Sequence, residues 1–326
     1  MKYQAIRSTI KGLGIPALIV LMLIGTHSMA TAKNKILFID SYHEGYEWSD
    51  GVTQGIQSIL KDTAELKIYR MDTKNNPSPE FAQKAAEEAR RLIDQWQPDV
   101  VIAADDNASK YIIKPFYVGK DLPVVFCGVN WDSSLYGFPT KNICGMEEVS
   151  LVEPLLQQMK NYAKGDRIGY LAVDDETARK EATYIKKVFG VVFAQEIYTK
   201  TYAEWKEKFK MLQSSVDMLI IDNNAGIKDW SADDAAQFVR AESRIPSGCV
   251  YVWMMPYAVI GYTKLPEEQG EWSAAAALRI LNGESPEKIG VVRNKKGKLY
   301  VNLPLATSMG IKIPLNILKS AEVIKN

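Results

Sequence analysis

From Lys35 onward the apolar and polar positions of this chain switch repeatedly between a two-residue and a 3.6-residue period. Residues 35–40 form an apolar run of strand type. From about Ser49, the side chains Val52, Ile56, Ile59 and Leu60 fall on one helical face. Residues 66–71 read as a second strand. Ser78 followed by Pro79 marks a helix start: a serine oxygen can accept from the unbonded amides of a first turn, and proline has no amide there to leave unbonded. Phe81, Ala85, Ala89, Leu92 and Trp96 hold the helical spacing until Pro98 ends it. Residues 100–104 are apolar throughout, as a strand covered on both faces is. A short helix over 108–117, despite Pro115, and a fourth strand over 124–129 complete the pattern, which predicts a doubly wound parallel sheet.

The same order restarts after Gly145. Helices are expected over 151–162, 177–189, 202–212, 232–241 and 267–281, and strands over 167–173, 191–198, 218–221 and 250–254. The fold class is therefore α/β, with two doubly wound, Rossmann-like lobes and a cleft between them. The halves also echo one another. Val101-Ile102-Ala103-Ala104 runs into Asp105-Asp106-Asn107-Ala108, and Met218-Leu219-Ile220-Ile221 runs into Asp222-Asn223-Asn224-Ala225. Both put a polar cluster at the carboxyl end of a strand, where open α/β sheets bind ligands.

The start of the chain adds a location. Lys2, Arg7 and Lys11 form a basic stretch without an acid, residues 15–24 are apolar apart from Pro16, and Ala30-Thr31-Ala32 places small residues where a signal peptidase reads. This predicts an export signal over 1–32, cut after Ala32, and a soluble protein in the periplasm or extracytoplasmic space. A membrane anchor is the weaker reading, because a spanning helix needs roughly 20 apolar residues. There is no cysteine near the cut for a lipid and no Arg-Arg pair ahead of the apolar run.

Removing 1–32 leaves 37 basic and 39 acidic side chains, a formal charge of −2. Nothing in that balance favours nucleic acid or an anionic membrane as partner. The cysteines Cys127, Cys144 and Cys249 are odd in number and do not make a disulfide framework. Cys127 and Cys249 read as small core residues, and a Cys127–Cys144 bridge stays open in an oxidising compartment. After the cut His43 is the one histidine left. A two-His zinc site or His-Cys cluster cannot be built from it, and glycine-rich phosphate loops are missing, so neither metal nor cofactor is expected.

Candidate ligand contacts gather at the strand ends: Ser41, Tyr42, His43 and Trp48 after the first strand, Asp106 and Asn107 after the third, and Asn130 and Trp131 after the fourth. In the second half they are Asp174, Asn223, Asn224 and Trp253. Aromatic faces with fixed amides and carboxylates suit a small polar or zwitterionic solute. For Asp105, Asp174 and Asp222 the capping of a following helix competes with ligand contact. Lys295-Lys296-Gly297-Lys298 reads as a solvated hairpin turn. Asp pairs leave an exported α/β hydrolase as a competing reading, although no nucleophile motif accompanies them.

The sequence also resembles a family. Ser41-Tyr42-His43 with Gly45 and Trp48, residues 105–108, Pro123-Val124-Val125-Phe126 with Gly128 and Asn130, and residues 145–149 are similar to ABC transporter substrate-binding proteins of the tryptophan- and tyrosine-binding type. The resemblance is to the branch found beside membrane sensor kinases and cyclases. Gly283, Pro286, Val301-Asn302-Leu303, Ala306, Gly310-Ile311 and Ile313-Pro314 extend it through the tail. The resemblance implies a periplasmic binding protein type 1 fold and a monomer that holds a small solute, an amino acid among the options, without catalysis. Its partner would be the permease of an ABC transporter or a membrane sensor. It implies lobes of 33–144 plus about 257–286 and 145–256 plus about 287–326, crossing near 142–147, near 256–261 and after Gly283. The family holds its solute with a Ser or Thr and an Asp at the third strand end, where this chain has Asp105 and Asp106 with no hydroxyl before them.

Overall fold

The computed structural model describes residues 33–325; the export signal read over 1–32 lies outside the described residues. Two sheets organise the chain. In the first, β1 (Lys35–Asp40), β2 (Glu65–Arg70), β3 (Val100–Ala104), β4 (Val124–Asn130) and β5 (Ile143–Glu148) are joined late in the chain by β11 (Val291–Arg293), in the order β11-β5-β4-β3-β1-β2. All its pairings are parallel. The second contains β6 (Ile168–Val173), β7 (Phe193–Thr199), β8 (Met218–Ile221), β9 (Ser247–Cys249), β10 (Ile260–Lys264), β12 (Gly297–Asn302) and β13 (Glu322–Ile324) in the order β13-β12-β10-β9-β8-β6-β7. Only β10 with β12 is antiparallel among these pairings.

Helices α1 (Glu47–Leu60), α2 (Pro79–Trp96), α3 (Asp105–Ala108) and α4 (Lys114–Phe116) belong to the first lobe, with a π turn over Ser109–Ile113 between the last two. The second lobe carries α5 (Val152–Lys160), α6 (Glu176–Phe189), α7 (Tyr202–Ser215) and α8 (Ala232–Glu242). Helix α9 (Pro266–Leu281) returns to the first lobe, and the short helices α10 (Pro286–Ile289), α11 (Leu303–Ser308) and α12 (Leu315–Ser320) complete the chain. The α2 start is built as its sequence predicts, with Ser78 Oγ accepting from the Phe81 amide at 3.2 Å.

The two-residue period of the strands divides the first lobe into two cores. Leu37, Ile39, Val101, Ala103 and Phe126 face α2, while Ile36, Phe38, Ile102, Val125 and Cys127 face α1 and α9. Helix α9 follows directly on a strand of the other sheet, yet it is seated on α1 by close backbone approach. A Cβ on Gly270 would lie 2.0 Å from the Val52 carbonyl oxygen, and one on Gly55 would lie 2.3 Å from that of Glu267.

The chain passes between the sheets three times: over 149–151 after β5, at Leu265 after β10, and over 294–296 between β11 and β12. These passages are bolted together. Asn294 accepts from the Val149 amide at 2.7 Å and donates to its carbonyl at 3.1 Å. The Glu268 carboxylate, three residues past the second passage, accepts from the Lys295 and Lys296 amides at 2.8–3.0 Å.

Several expectations need correction. The first two passages fall later than expected, because residues 143–148 form β5 of the first sheet and residues 260–264 belong to the second. The strand expected over 250–254 is instead β9 three residues earlier; Val252–Tyr257, with Pro256 inside, coils into a 3-10 turn. Lys295 and Lys296 are not a hairpin, since the strands on either side lie in different sheets. Ile59, on the expected apolar face of α1, is exposed. Cys127, Cys144 and Cys249 are buried free thiols.

Candidate functional site

The carboxyl ends of both sheets converge at the passages, and buried charge collects there. Glu148 ends β5 of the first lobe, Lys264 ends β10 of the second, and the two form an ion pair across the boundary. Burial raises the Glu148 carboxyl, with Lys264 pulling the other way. For Lys264 burial works to lower the ammonium, but Glu148, Glu181 and Asp105 outweigh it and hold its pKa above the ordinary lysine value. The Lys264 ammonium also lies 5.6 Å from the Trp48 ring.

On the first-lobe side, Trp48 Nε1 donates to Asp105 Oδ1 at 2.9 Å. Asp105 is held at φ 70°, and a Cβ on Gly128 would come within 2.6 Å of its Oδ1, so β4 leaves that side of the carboxylate open with a glycine. Its Oδ2 is buried without a partner. Burial, then Glu148 and Asp40, push the Asp105 pKa well up, against the bond from Trp48. Asp106 accepts from Asn130 Nδ2 at 3.0 Å and from the Tyr136 hydroxyl at 2.7 Å. The Tyr42 hydroxyl is raised by burial and by Asp105, Glu148 and Asp106, which places it beside this group.

On the second-lobe side, Asp222 stands at the position that echoes Asp105. Its Oδ2 accepts from the Tyr170 hydroxyl at 2.7 Å, and its Oδ1 is buried and unpartnered. Burial and Glu181 lift its pKa to about 7. Tyr251 is raised by burial, with Glu181, Asp222 and Glu148 as its charged neighbours. Its ring stacks on Trp253 at 4.6 Å, and Trp253 is 55% exposed.

The residues singled out from sequence divide by what their polar atoms already do. Ser41 is a stitch: its hydroxyl donates to the Ala104 carbonyl at 2.6 Å and accepts from the Ala108 amide at 2.8 Å. Asn107 donates to Thr73 Oγ1 at 2.7 Å, and Asn130 is bound to Asp106. His43 Nδ1 lies 3.6 Å from Asp72 Oδ1. Asp174 pairs with Arg179 at 2.5 Å on the exterior, while its neighbour Asp175 caps α6 by accepting from the Ala178 amide at 2.7 Å. Neither Asp105 nor Asp222 caps a helix with its carboxylate, against the competing expectation. Asn223 accepts from Trp253 Nε1 at 3.3 Å, and Asn224 is half-buried at the start of the turn to Ile227.

Trp131 is the clearest correction. The sequence places it among the ligand contacts, but its side chain is 4% exposed and packed against α6 of the other lobe. It leaves β4 at φ 68°, lies parallel to Tyr184 of α6 at 5.6 Å, and donates from Nε1 to Glu181 Oε2 at 2.8 Å. Ser150, in the first passage, donates to the other Glu181 oxygen. Glu148, Glu181 and Lys264 were not singled out from sequence. Single charged residues at the ends of a strand and inside a helix carry no pattern; only the fold makes them neighbours.

Among the described residues no group of three or more His, Cys, Asp or Glu side chains is placed to hold a metal ion, and no helix is long and apolar enough to cross a membrane. A groove of about 910 Å³ lies beside the passages, lined by Glu147, Val149, Leu151, Phe189 and Asn294 among others. The unpartnered carboxylate oxygens of Asp105 and Asp222 lie elsewhere, at the strand ends.

The chain aligns with known structures over nearly its whole described length. A substrate-binding protein with adhesive properties from Clostridium difficile, in its ligand-free open form, shares 18% identity and a TM-score of 0.68, covering 89% of this chain and 99% of that one. An ABC domain from Streptococcus pneumonia in complex with L-Trp shares 18% identity and a TM-score of 0.53, covering 90% and 100%. A periplasmic ribose ABC transporter protein from Conexibacter woesei shares 13% identity and a TM-score of 0.54, covering 86% and 95%. These likenesses establish the two-lobed periplasmic binding protein type 1 fold. No curated protein matches the sequence. The family profile described as ABC transporter substrate binding protein matches residues 44–325, and the chain belongs to that family.

Proposed function

We propose that this protein captures a small polar solute, of amino-acid-like size, between its lobes outside the cytoplasmic membrane and presents it to the permease of an ABC transporter. The observation that carries the reading is the convergence of strand ends from both lobes on one polar group, the buried Asp105, Glu148, Glu181 and Asp222 with the half-buried Lys264, beside three passages of which the first two are bonded to the third. Such a junction lets two lobes rotate about a few backbone segments while the groups between them exchange water for solute. A metabolite library of amines, amino acids, sugars and organic acids, read by thermal shift and then calorimetry, tests it. A saturable ligand that raises the melting temperature and is recovered unchanged supports the reading. Turnover of the bound compound would move the protein to the hydrolase class, and silence across the library would refute solute capture.

A further inference from the structure

The buried acids at the lobe boundary outnumber the donors that meet them. Asp105, Glu148, Glu181 and Asp222 are all buried, and among the described residues the ammonium found with them, that of Lys264, is already paired with Glu148. Two carboxylate oxygens, Asp105 Oδ2 and Asp222 Oδ1, have no partner at all. They come one from each lobe and from echoing strand ends. A buried carboxylate oxygen without a donor is costly, and an ammonium, which carries three donors and accepts nothing, is its natural complement. Aromatic rings complete the setting, with Tyr42 beside Asp105 and the exposed Trp253 stacked on Tyr251 near Asp222. A ring face attracts a cation and gives nothing to a carboxylate.

We infer that the cleft takes a solute carrying an amine or guanidinium cation and no carboxylate of its own. The inference rests on the solute-capture reading above and narrows it. A zwitterionic amino acid would bring a further carboxylate among four buried acids, and that carboxylate would have to take Lys264 from Glu148. A bare amine or guanidinium meets one unpartnered oxygen, and a dication can meet both. An aromatic monoamine and an aliphatic dication share that chemistry and are separated by the test.

Calorimetry with skeleton-matched probes decides the matter. One series is tyramine, L-tyrosine and 4-hydroxyphenylacetate; the other is agmatine and L-arginine, which differ by one carboxylate. The inference expects tyramine or agmatine to bind at least about tenfold more tightly than its amino acid, a preference of about 1.4 kcal/mol. Tyramine alone would mark a monoamine, and agmatine alone a dication. Asp105→Asn and Asp222→Asn, nearly isosteric, should each weaken the bound amine by tenfold or more while the empty variants keep a cooperative melting transition. If either variant does not fold, the wild-type ranking still decides. Tighter binding of L-tyrosine, L-arginine or 4-hydroxyphenylacetate than of the matched amine would overturn the inference and leave solute capture standing. Silence toward both amines would overturn it too, and the wider library would then show whether capture itself survives.

Discussion

Replacing Lys264 by methionine is the most informative single perturbation of the lobe boundary. Methionine keeps an aliphatic stem and drops the ammonium, so packing changes little, while Glu148 loses the ion-pair partner it has among the described residues. Glu148 is buried, and Asp106 and Glu181 act on it as further negative charges. Truncating one member of a buried pair costs about 3–5 kcal/mol, because the remaining charge has neither water nor partner. At about 2–4 °C per kcal/mol, that is a melting temperature lower by roughly 6–20 °C. The loss should depend on pH in a definite direction. The folded Glu148 carboxyl already lies above its ordinary value, and without Lys264 it lies higher still. The folded state then holds a proton that the unfolded state has released, so stability falls as pH rises through the folded pKa and returns as pH drops. Urea unfolding of Lys264→Met should show the full deficit near pH 8 and a smaller one near pH 5. The double variant Glu148→Gln/Lys264→Met should be more stable than Lys264→Met alone. A single variant as stable as wild type near pH 8, or a deficit of equal size at both pH values, would refute the argument.

Trp131→Ala should destabilise the empty protein by about 3–5 kcal/mol in chemical denaturation, since it empties a buried indole site and removes a donor from Glu181; an unchanged midpoint would return Trp131 to the solute. Gly270→Ala should cost at least about 1–3 kcal/mol and loosen α9 from α1, because the new methyl meets the Val52 backbone and not a movable side chain; hydrogen exchange of the α9 amides reads this directly. Asn107→Ala should lower empty-state stability by about 0.5–1.5 kcal/mol through the lost bond to Thr73, whereas Asn224→Ala should leave it near wild type, as paired melting curves will show. Asp222, raised to about 7 by burial and Glu181, also faces Tyr170, Asp175, Tyr198 and Tyr251. Its ionisation therefore weakens the fold as pH rises through about 7, and Asp222→Asn should flatten wild-type stability over that range.

The architecture was legible because its signals are local. Residues 100–104 and 218–221 are apolar on both faces, and Ser78-Pro79 caps α2 as written. The passages were harder to place. Residues 143–148 end in two glutamates, which carry no strand signal of their own, yet Glu147 and Glu148 are buried at the close of β5. Residues 250–254 look like a strand by composition, but Pro256 and the alternation of exposed Val252 and Trp253 with buried Met254 and Met255 make a turn. The site was half legible. The echo located Asp105 and Asp222 by strand position and set their role between cap and ligand contact. Their unpartnered oxygens depend on Gly128, Trp48 and Tyr170 arriving from other strands and helices. Trp131 leaves β4 at φ 68°, and its neighbour, α6, is a contact between lobes that no local pattern encodes.

Native mass spectrometry of the protein as isolated from its own cells weighs any solute held between the lobes. A solute closed between lobes and held by buried groups dissociates slowly enough to survive gentle purification. The account predicts a non-covalent adduct of a single small molecule that disappears after unfolding and refolding, and that is diminished in Asp105→Asn and Asp222→Asn. A wild-type protein of bare chain mass, whose lobes keep the same small-angle scattering profile with every compound of the library, would contradict it.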